Sequence, residues 1–188
     1  MKCPACATLL PTPVPRCPQC KLSLQRLDLK FGLVPRHSRY LSDRSGALAL
    51  PEMDALRKDL RLFEKKFPQI LLSVLVTELP IGTKVNEYSF WMANRARFSS
   101  VEKTQNDNFD LLLVIDVVSK KAALVSGYGL EPYVSEEDLQ DALQPTAAPL
   151  RAGKIADGIR ACIEALTAIL REASARAAKP QELELAEL

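Results

Sequence analysis

Four cysteines within the first 20 residues constrain the fold of this chain more than any other feature of its sequence. They form two Cys-Pro-x-Cys pairs with ten residues between them: Cys3 and Cys6, then Cys17 and Cys20. Because two residues separate the cysteines of a pair, both sulfurs of a tight turn point to one centre, and two such turns predict a tetrahedral zinc site. All four ligands are thiolates, which indicates a structural zinc without an open coordination position.

The N-terminal segment of residues 1–31, called the head below, needs that metal, because its first 20 residues cannot bury a stabilising apolar core. Disulfides and a redox-active Cys-x-x-Cys pair stay open as alternative uses of the same cysteines. Disulfides require an oxidising compartment, and a redox pair lies beside a strand-to-helix pattern. The proline-rich opening has neither that setting nor the form of a secretory signal, so zinc is favoured and we expect a cytoplasmic protein.

The residues after the second pair favour a hairpin. Leucines and Phe31 alternate with polar residues over residues 21–31, which predicts two short strands that turn at Gln25-Arg26 and complete a zinc ribbon in residues 1–31. Residues 1–40 carry seven lysines and arginines and one acidic residue, a net charge of +6, although the whole chain has only +2. Residues 1–40 could therefore bind nucleic acid or an acidic protein, but a solvated tether has the same composition.

Beyond a polar linker at residues 32–45, the periodicity of the sequence becomes helical. Apolar residues recur every three or four positions in four segments, with charged residues between them. A proline suited to the first helical turn marks the start of one segment, and a serine followed by three acids marks another. The predicted helices begin near Pro51, Val85, Ser135 and Ile155.

Strand patterns separate these helices. Runs that are apolar on both faces predict buried central strands at residues 70–77 and 111–118. A turn at residues 119–121 then predicts an antiparallel partner at residues 122–125. Together with the helices, this order predicts an α/β fold, a three-layer α/β/α Rossmann-like sandwich with a mixed sheet over residues 46–177.

Composition also predicts the character of the C-terminal residues and excludes several classes of protein. Residues 178–188 are rich in glutamate and predict a flexible acidic tail. No apolar run approaches the roughly 18 residues that a membrane span needs. The chain has one histidine, which excludes chemistry that needs several imidazoles, and it has no P-loop, GxGxxG or GxSxG motif.

The segment Gly127-Tyr128-Gly129-Leu130-Glu131, which follows the predicted strand pair, resembles a motif of the TPM-domain family. That family includes thylakoid-lumen phosphatase-like and photosystem II repair proteins. The resemblance covers about residues 40–172 and implies a Rossmann-like α/β/α sandwich. Three other segments are similar to the family's motifs: Asp43 with Ala47-Leu48, Asp107-Asn108 before the strand at residue 111, and Arg151-x-Gly153 with Gly158-Ile159.

The resemblance also implies a Ca²⁺ or Mg²⁺ site, because carboxylate and amide oxygens suit hard divalent cations. We expect its ligands next to the strand ends, where open α/β sheets bind ligands. Phe109 stands where the family has glycine, so the loop is bulkier here. Ordinary loop and turn residues would give the same pattern without a ligand. The candidate ligands are Asp107, Asn108, Asp110, Glu131 and Glu136.

These observations predict an accessory or interaction protein that binds one or more protein partners and has no membrane span. Two alternatives differ in chemistry. The resemblance implies a weak metal-assisted phosphomonoesterase, in which a carboxylate would activate water. The basic residues 1–40 predict nucleic-acid binding instead.

Overall fold

A computed structural model describes residues 2–10, 12, 14–35, 37–96 and 108–178. Helices and strands alternate along most of the chain. Two short 3₁₀ turns, at Tyr128–Leu130 and Gln144–Thr146, flank the fourth helix. The elements are α1 (Leu24–Phe31), β1 (Leu41–Asp43), α2 (Leu50–Lys66), β2 (Leu72–Thr77), α3 (Val85–Arg95), β3 (Leu111–Asp116), β4 (Lys121–Ser126), α4 (Glu136–Leu143), α5 (Ala147–Arg151) and α6 (Ile155–Ala178). Apart from its first residue, the predicted acidic tail lies outside the described residues.

The four strands form one mixed sheet in the order β1-β2-β3-β4. β1, β2 and β3 are parallel, with Leu72 opposite Leu111 in the central pair. β4 is antiparallel to β3, with Leu111 opposite Ser126, and Lys120 in the turn between them has a φ of 53°. The predicted central strands, the turn and the antiparallel partner are therefore confirmed.

Side chains of the central strands alternate between two apolar clusters, and helices cover both faces of the sheet. All six residues of β2 and of β3 are buried, as expected for strands covered on both sides. On one face Val74, Leu113 and their neighbours pack against α2, α4 and α6. On the other face Leu75, Leu112 and Val114 pack against α1 and α3.

Local signals place the helix starts. Pro51 lies in the first turn of α2, where its missing amide proton costs no hydrogen bond, and the Glu52 carboxylate accepts from the Ala49 amide at 2.9 Å. At α4, the Ser135 hydroxyl oxygen accepts from the Asp138 amide at 3.1 Å, while the Asp138 carboxylate accepts from the Ser135 amide at 2.8 Å. This reciprocal cap confirms the predicted start of α4.

The predicted hairpin at residues 21–31 is wrong, because residues 24–31 form the helix α1. The apolar side chains that alternate in sequence also recur at helical spacing, and Leu27 is buried while Leu29 is exposed. The Ser23 hydroxyl oxygen accepts from the Arg26 amide at 3.3 Å and caps the helix start. Gly32 ends the helix with a φ of 73°, a conformation that glycine adopts without strain.

The range expected to be a linker, residues 32–45, contains a strand of the sheet. β1 has three residues, and the buried Leu41 lies opposite Val74 of β2. So short a strand carries too few residues for a period of two to appear in the sequence. Among the described residues, no helix combines the length and the apolar character needed to cross a bilayer.

Candidate metal centre

The two Cys-Pro-x-Cys turns have the same backbone conformation. In each turn the first cysteine donates its amide proton to the carbonyl five residues ahead, at 2.9 Å for Cys3 and 2.8 Å for Cys17. Its carbonyl accepts from the amide four residues ahead, at 2.9 and 3.0 Å. Ala7 and Lys21 occupy that fourth position, and both have positive φ, 58° and 61°. Matching turns therefore present the two pairs of sulfurs in the same way.

The four sulfurs converge on one point. Cys3 Sγ lies 3.6 Å from Cys20 Sγ, and Cys6 Sγ lies 3.7 Å from Cys17 Sγ. All four sulfurs lie within 4.8 Å of one another. Tetrahedral zinc with Zn–S bonds of about 2.3 Å requires sulfurs about 3.8 Å apart, so this donor set fits zinc in number, type and spacing.

Local contacts prepare some of the thiols for a cation. Hydrogen bonds from Thr8, whose hydroxyl lies 3.2 Å from Cys6 Sγ, lower the pKa of Cys6 to about 6. A backbone hydrogen bond from Cys20 lowers the pKa of Cys17. Burial raises the pKa of Cys3 to about 12, so this thiol would lose its proton on metal binding.

Asp28 of α1 attaches the head to α3. Arg95 donates to both of its carboxylate oxygens, from Nε at 2.8 Å and from Nη2 at 2.7 Å. Trp91 Nε1 donates to Oδ1 at 2.9 Å. The Arg95 guanidinium, and next the Trp91 indole, hold the pKa of Asp28 below its ordinary value. Fork-like pairing of this kind fixes orientation as well as distance.

Apolar contacts complete the attachment. The Phe31 ring centroid lies 5.2 Å from those of both Tyr88 and Trp91, edge-on to Tyr88 at 84°. Leu27 belongs to the same cluster and is almost fully buried. Aromatic pairs at such distances add to the stabilisation that burial provides. The head therefore packs against α3.

Polar contacts also tie the cysteine turns to the body. Lys84 Nζ donates to the Ala5 carbonyl at 2.7 Å, and Lys2 Nζ lies 3.3 Å from a Glu136 carboxylate oxygen. A cleft of 240 Å³ remains between the head and α3. The lining of this cleft includes Cys3, Cys17, Leu22, Phe90 and Tyr128.

The sequence-predicted acidic ligands are not part of this sulfur cluster. Asn108 and Asp110 precede β3, and Glu131 follows the end of β4. This is the amino edge of the parallel strands, whereas open α/β sheets bind ligands at the carboxyl edge. Glu136 begins α4 and pairs with Lys2 of the head. Asp107 lies outside the described residues.

Several of the oxygens in this loop already accept hydrogen bonds. The Asn108 carbonyl accepts from the Gly129 amide at 2.9 Å, and the Asp110 carbonyl accepts from the Gly127 amide at 2.7 Å. Asn108 Oδ1 accepts from the Asp110 amide at 3.0 Å. Over the part of the chain that the structure describes, the four cysteines are the one group in which three or more Cys, His or acidic side chains converge.

Sequence reasoning missed the Asp28 contacts, because Trp91 and Arg95 lie 63 and 67 residues away along the chain. It also missed Asp116, a buried acid at the end of β3. The Asp116 carboxylate accepts from the amides of Leu79, at 3.1 Å, and Val118, at 3.2 Å. An acid directly after the apolar run of residues 111–115 was the available signal for this residue.

Comparison with known proteins adds a family and a fold. The TPM domain matches residues 41–169. No curated protein matches the chain.

Three bacterial NMR structures have a similar fold. The N-terminal domain of a protein from P. gingivalis has a TM-score of 0.54 at 19% identity, and covers 72% of this chain and 83% of its own. BA42 from Bizionia argentinensis has a TM-score of 0.57 at 17% identity, with 69% and 86% covered. The N-terminal domain of cg2496 from Corynebacterium glutamicum has a TM-score of 0.53 at 13% identity, with 71% and 82% covered.

Proposed function

Because the chain belongs to the TPM domain family, we propose that it is an accessory or interaction protein in which a zinc-bound head is fixed to a TPM domain. The observation that supports this most is the convergence of four thiols at spacings that suit tetrahedral zinc. We assign the zinc unit to residues 1–31 and the three-layer α/β/α TPM domain to the body, and we place the protein in the cytoplasm.

The role of the zinc in this proposal is structural. Zinc would be held by Cys3, Cys6, Cys17 and Cys20 and would supply the folding free energy that so small a head lacks. The chain's own residues then position that head: Asp28 binds α3 through Arg95 and Trp91, and Lys84 holds the first cysteine turn. The result is one rigid surface made from both parts, suited to binding a protein partner.

Metal analysis tests the zinc site. Protein purified in metal-free buffer should contain one zinc per chain. Cys17→Ser should lose that zinc, whereas Cys162→Ser should keep it, because Cys162 is buried in the body and belongs to the apolar core. Zinc retained at full occupancy by Cys17→Ser would contradict the proposed ligand set.

A divalent cation at the acidic loop is a second candidate, supported by the contacts that hold Asn108 and Asp110 beside the end of β4. Asp107, Glu131 and Glu136 would complete the ligand set for Ca²⁺ or Mg²⁺, and a bound cation could support weak phosphomonoester hydrolysis. Calorimetric titration with Ca²⁺ should show binding that Asp110→Asn abolishes and Glu137→Gln leaves intact. Equal binding by both variants would reject this site.

Nucleic-acid binding through residues 1–40 is a third candidate, supported by the net charge of that segment. Its charge is partly neutralised, because Lys2 pairs with Glu136 and Lys30 with Glu87. Salt-dependent retention on a polyanion column, lost in an Arg16→Gln, Arg26→Gln double variant, is the expected result. Retention that this double variant leaves unchanged would reject the head as the binding surface.

A further inference from the structure

Three exposed aliphatic side chains follow the carboxyl ends of neighbouring strands: two lie in loops, and one, Leu50, is the first residue of α2. Leu50 follows β1, Ile81 follows β2 and Val118 follows β3, and these side chains are 76%, 98% and 57% exposed. β1, β2 and β3 are adjacent in the sheet, about 4.8 Å apart from strand to strand. The loops that leave their carboxyl ends are therefore adjacent too.

Hydrogen bonds to the carboxylates of two strand-end residues, the buried Asp116 and the half-buried Asp43, hold the segments that follow these strands in place. Asp116 accepts from the amides of Leu79 and Val118, which joins the loop after β2 to the turn after β3. Asp43 accepts from the Gly46 amide at 3.0 Å and from the Leu48 amide at 2.8 Å. The exposed aliphatic side chains thus lie on or beside backbone segments that hydrogen bonds fix to the strand ends.

Basic side chains lie beside Val118. Lys120 Nζ donates to the Arg151 carbonyl at 3.0 Å, which brings the β3–β4 turn against the junction of α5 and α6. The basic cluster comprises Lys120, Lys121, Arg151 and Lys154. None of these four cations forms an ion pair with a carboxylate among the described residues, whereas Asp157 nearby pairs with Arg160 at 3.4 Å. Glu78 is an exposed acid on the loop after β2.

We propose that this carboxyl edge, formed by Leu50, Ile81, Val118 and the basic cluster, docks on the surface of an anionic lipid bilayer. The aliphatic tips enter the interfacial region while the four cations meet lipid phosphates. Single-stranded nucleic acid binds by stacking bases on aromatic rings, and the tips here are aliphatic, which favours a bilayer. The proposal uses neither the cysteine head nor the acidic loop.

Vesicle co-sedimentation of the full-length, zinc-loaded protein tests this. The protein should bind vesicles of phosphatidylcholine with phosphatidylglycerol, bind pure phosphatidylcholine weakly, and lose affinity as salt rises. Ile81→Ser should reduce binding several-fold. The double variant Lys120→Gln, Lys121→Gln should reduce it about 25-fold, because each cation near an anionic surface contributes about five-fold.

Matched variants on α2 provide the control. Leu62→Ser removes an exposed leucine, and Lys58→Gln with Lys65→Gln removes two exposed cations, so both should bind as the unaltered protein does. Circular dichroism confirms that each variant folds. The proposal is overturned if the unaltered protein binds no vesicles, if Ile81→Ser binds normally, if the α2 variants lose binding equally, or if only RNA or an acidic protein is bound.

Discussion

A side chain at position 127 would collide with Asn108, so this position requires glycine. A Cβ built there would lie 2.3 Å from the Asn108 carbonyl oxygen and 2.5 Å from its Oδ1. Because the first of these atoms belongs to the backbone, the clash cannot be relieved by a rotamer change. The resemblance to the family's Gly-Tyr-Gly segment located this residue in the sequence, but its packing against Asn108 depends on the pairing of β3 with β4, which the sequence shows only indirectly.

Gly127→Ala should therefore lower the free energy of unfolding by about 3 kcal/mol, at the upper end of what overpacking costs. Gly46→Ala is the control, since Gly46 has a positive φ of 67° but no atom within 4 Å of a built Cβ, and it should cost about 1 kcal/mol. Urea unfolding followed by circular dichroism measures both values. Equal costs for the two variants would show that contact with Asn108 is unimportant.

Asp28 makes head docking depend on pH. Its pKa is lowered in the folded protein, so its contribution is fully present above the ordinary aspartate pKa of about 3.9 and is lost as the pH falls through the lower folded value. Asp28→Asn should remove this component. Trp91 is the only tryptophan, so its emission reports docking as acid is added. Identical curves of Trp91 emission against pH for the unaltered protein and Asp28→Asn would contradict this role. Protonation of the cysteine thiolates affects both proteins alike, so it cannot cause a difference between the two curves.

At the scale of elements, α1 shows why a pattern can mislead. The apolar residues form two runs with a period of two, at positions 22 and 24 and at positions 27, 29 and 31, yet Leu24, Leu27 and Phe31 also satisfy a helical period. The residues that the segment packs against decide between the two periods, because Tyr88 and Trp91 of α3 contact one face of a helix. The longer elements α2 and α6 had enough turns for their periodicity to be unambiguous, and β2 and β3 were identified by their continuous apolar runs.

Removal of zinc should release α1 from α3. Metal loss deprives the cysteine turns of their stabilising centre, and Leu22 packs in the clusters of both the head and α3. Trp91, which is fully buried under Phe31, should then become hydrated. A strong chelator should shift the emission of Trp91 to longer wavelength, and added zinc should reverse the shift. An unchanged spectrum after complete metal removal would show that α1 docks without the metal centre.

At the scale of the whole molecule, the TPM match begins at residue 41, but residues before that position also pack into the folded body. The head supplies Leu27 and Phe31 to the apolar cluster on one face of the sheet. Cysteine spacing predicted the metal centre because its ligands are close in sequence. The attachment of head to body was not predictable, because it joins residues more than 60 positions apart that carry no motif.

A protein that lacks residues 1–31 should therefore be less stable and expose apolar surface. Burial of a side chain of the size of leucine or phenylalanine contributes about 1.5–3 kcal/mol, so the loss of Leu27 and Phe31 should lower the free energy of unfolding by several kcal/mol. The shortened protein should bind an apolar dye such as anilinonaphthalene sulfonate and unfold at a lower urea concentration. An unfolding midpoint equal to that of the full chain would show that the head adds nothing to the body.

The metal centre has two unlike sides. Cys3 and Cys17, the first cysteine of each pair, are buried, whereas Cys6 is exposed and Cys20 is intermediate. With zinc bound as proposed, Cys6 is the most exposed of the four ligands to a competing chelator or an electrophile. Exchange of a bound zinc should then begin with ligand substitution at Cys6, so access to that thiolate should limit the rate at which the ion leaves.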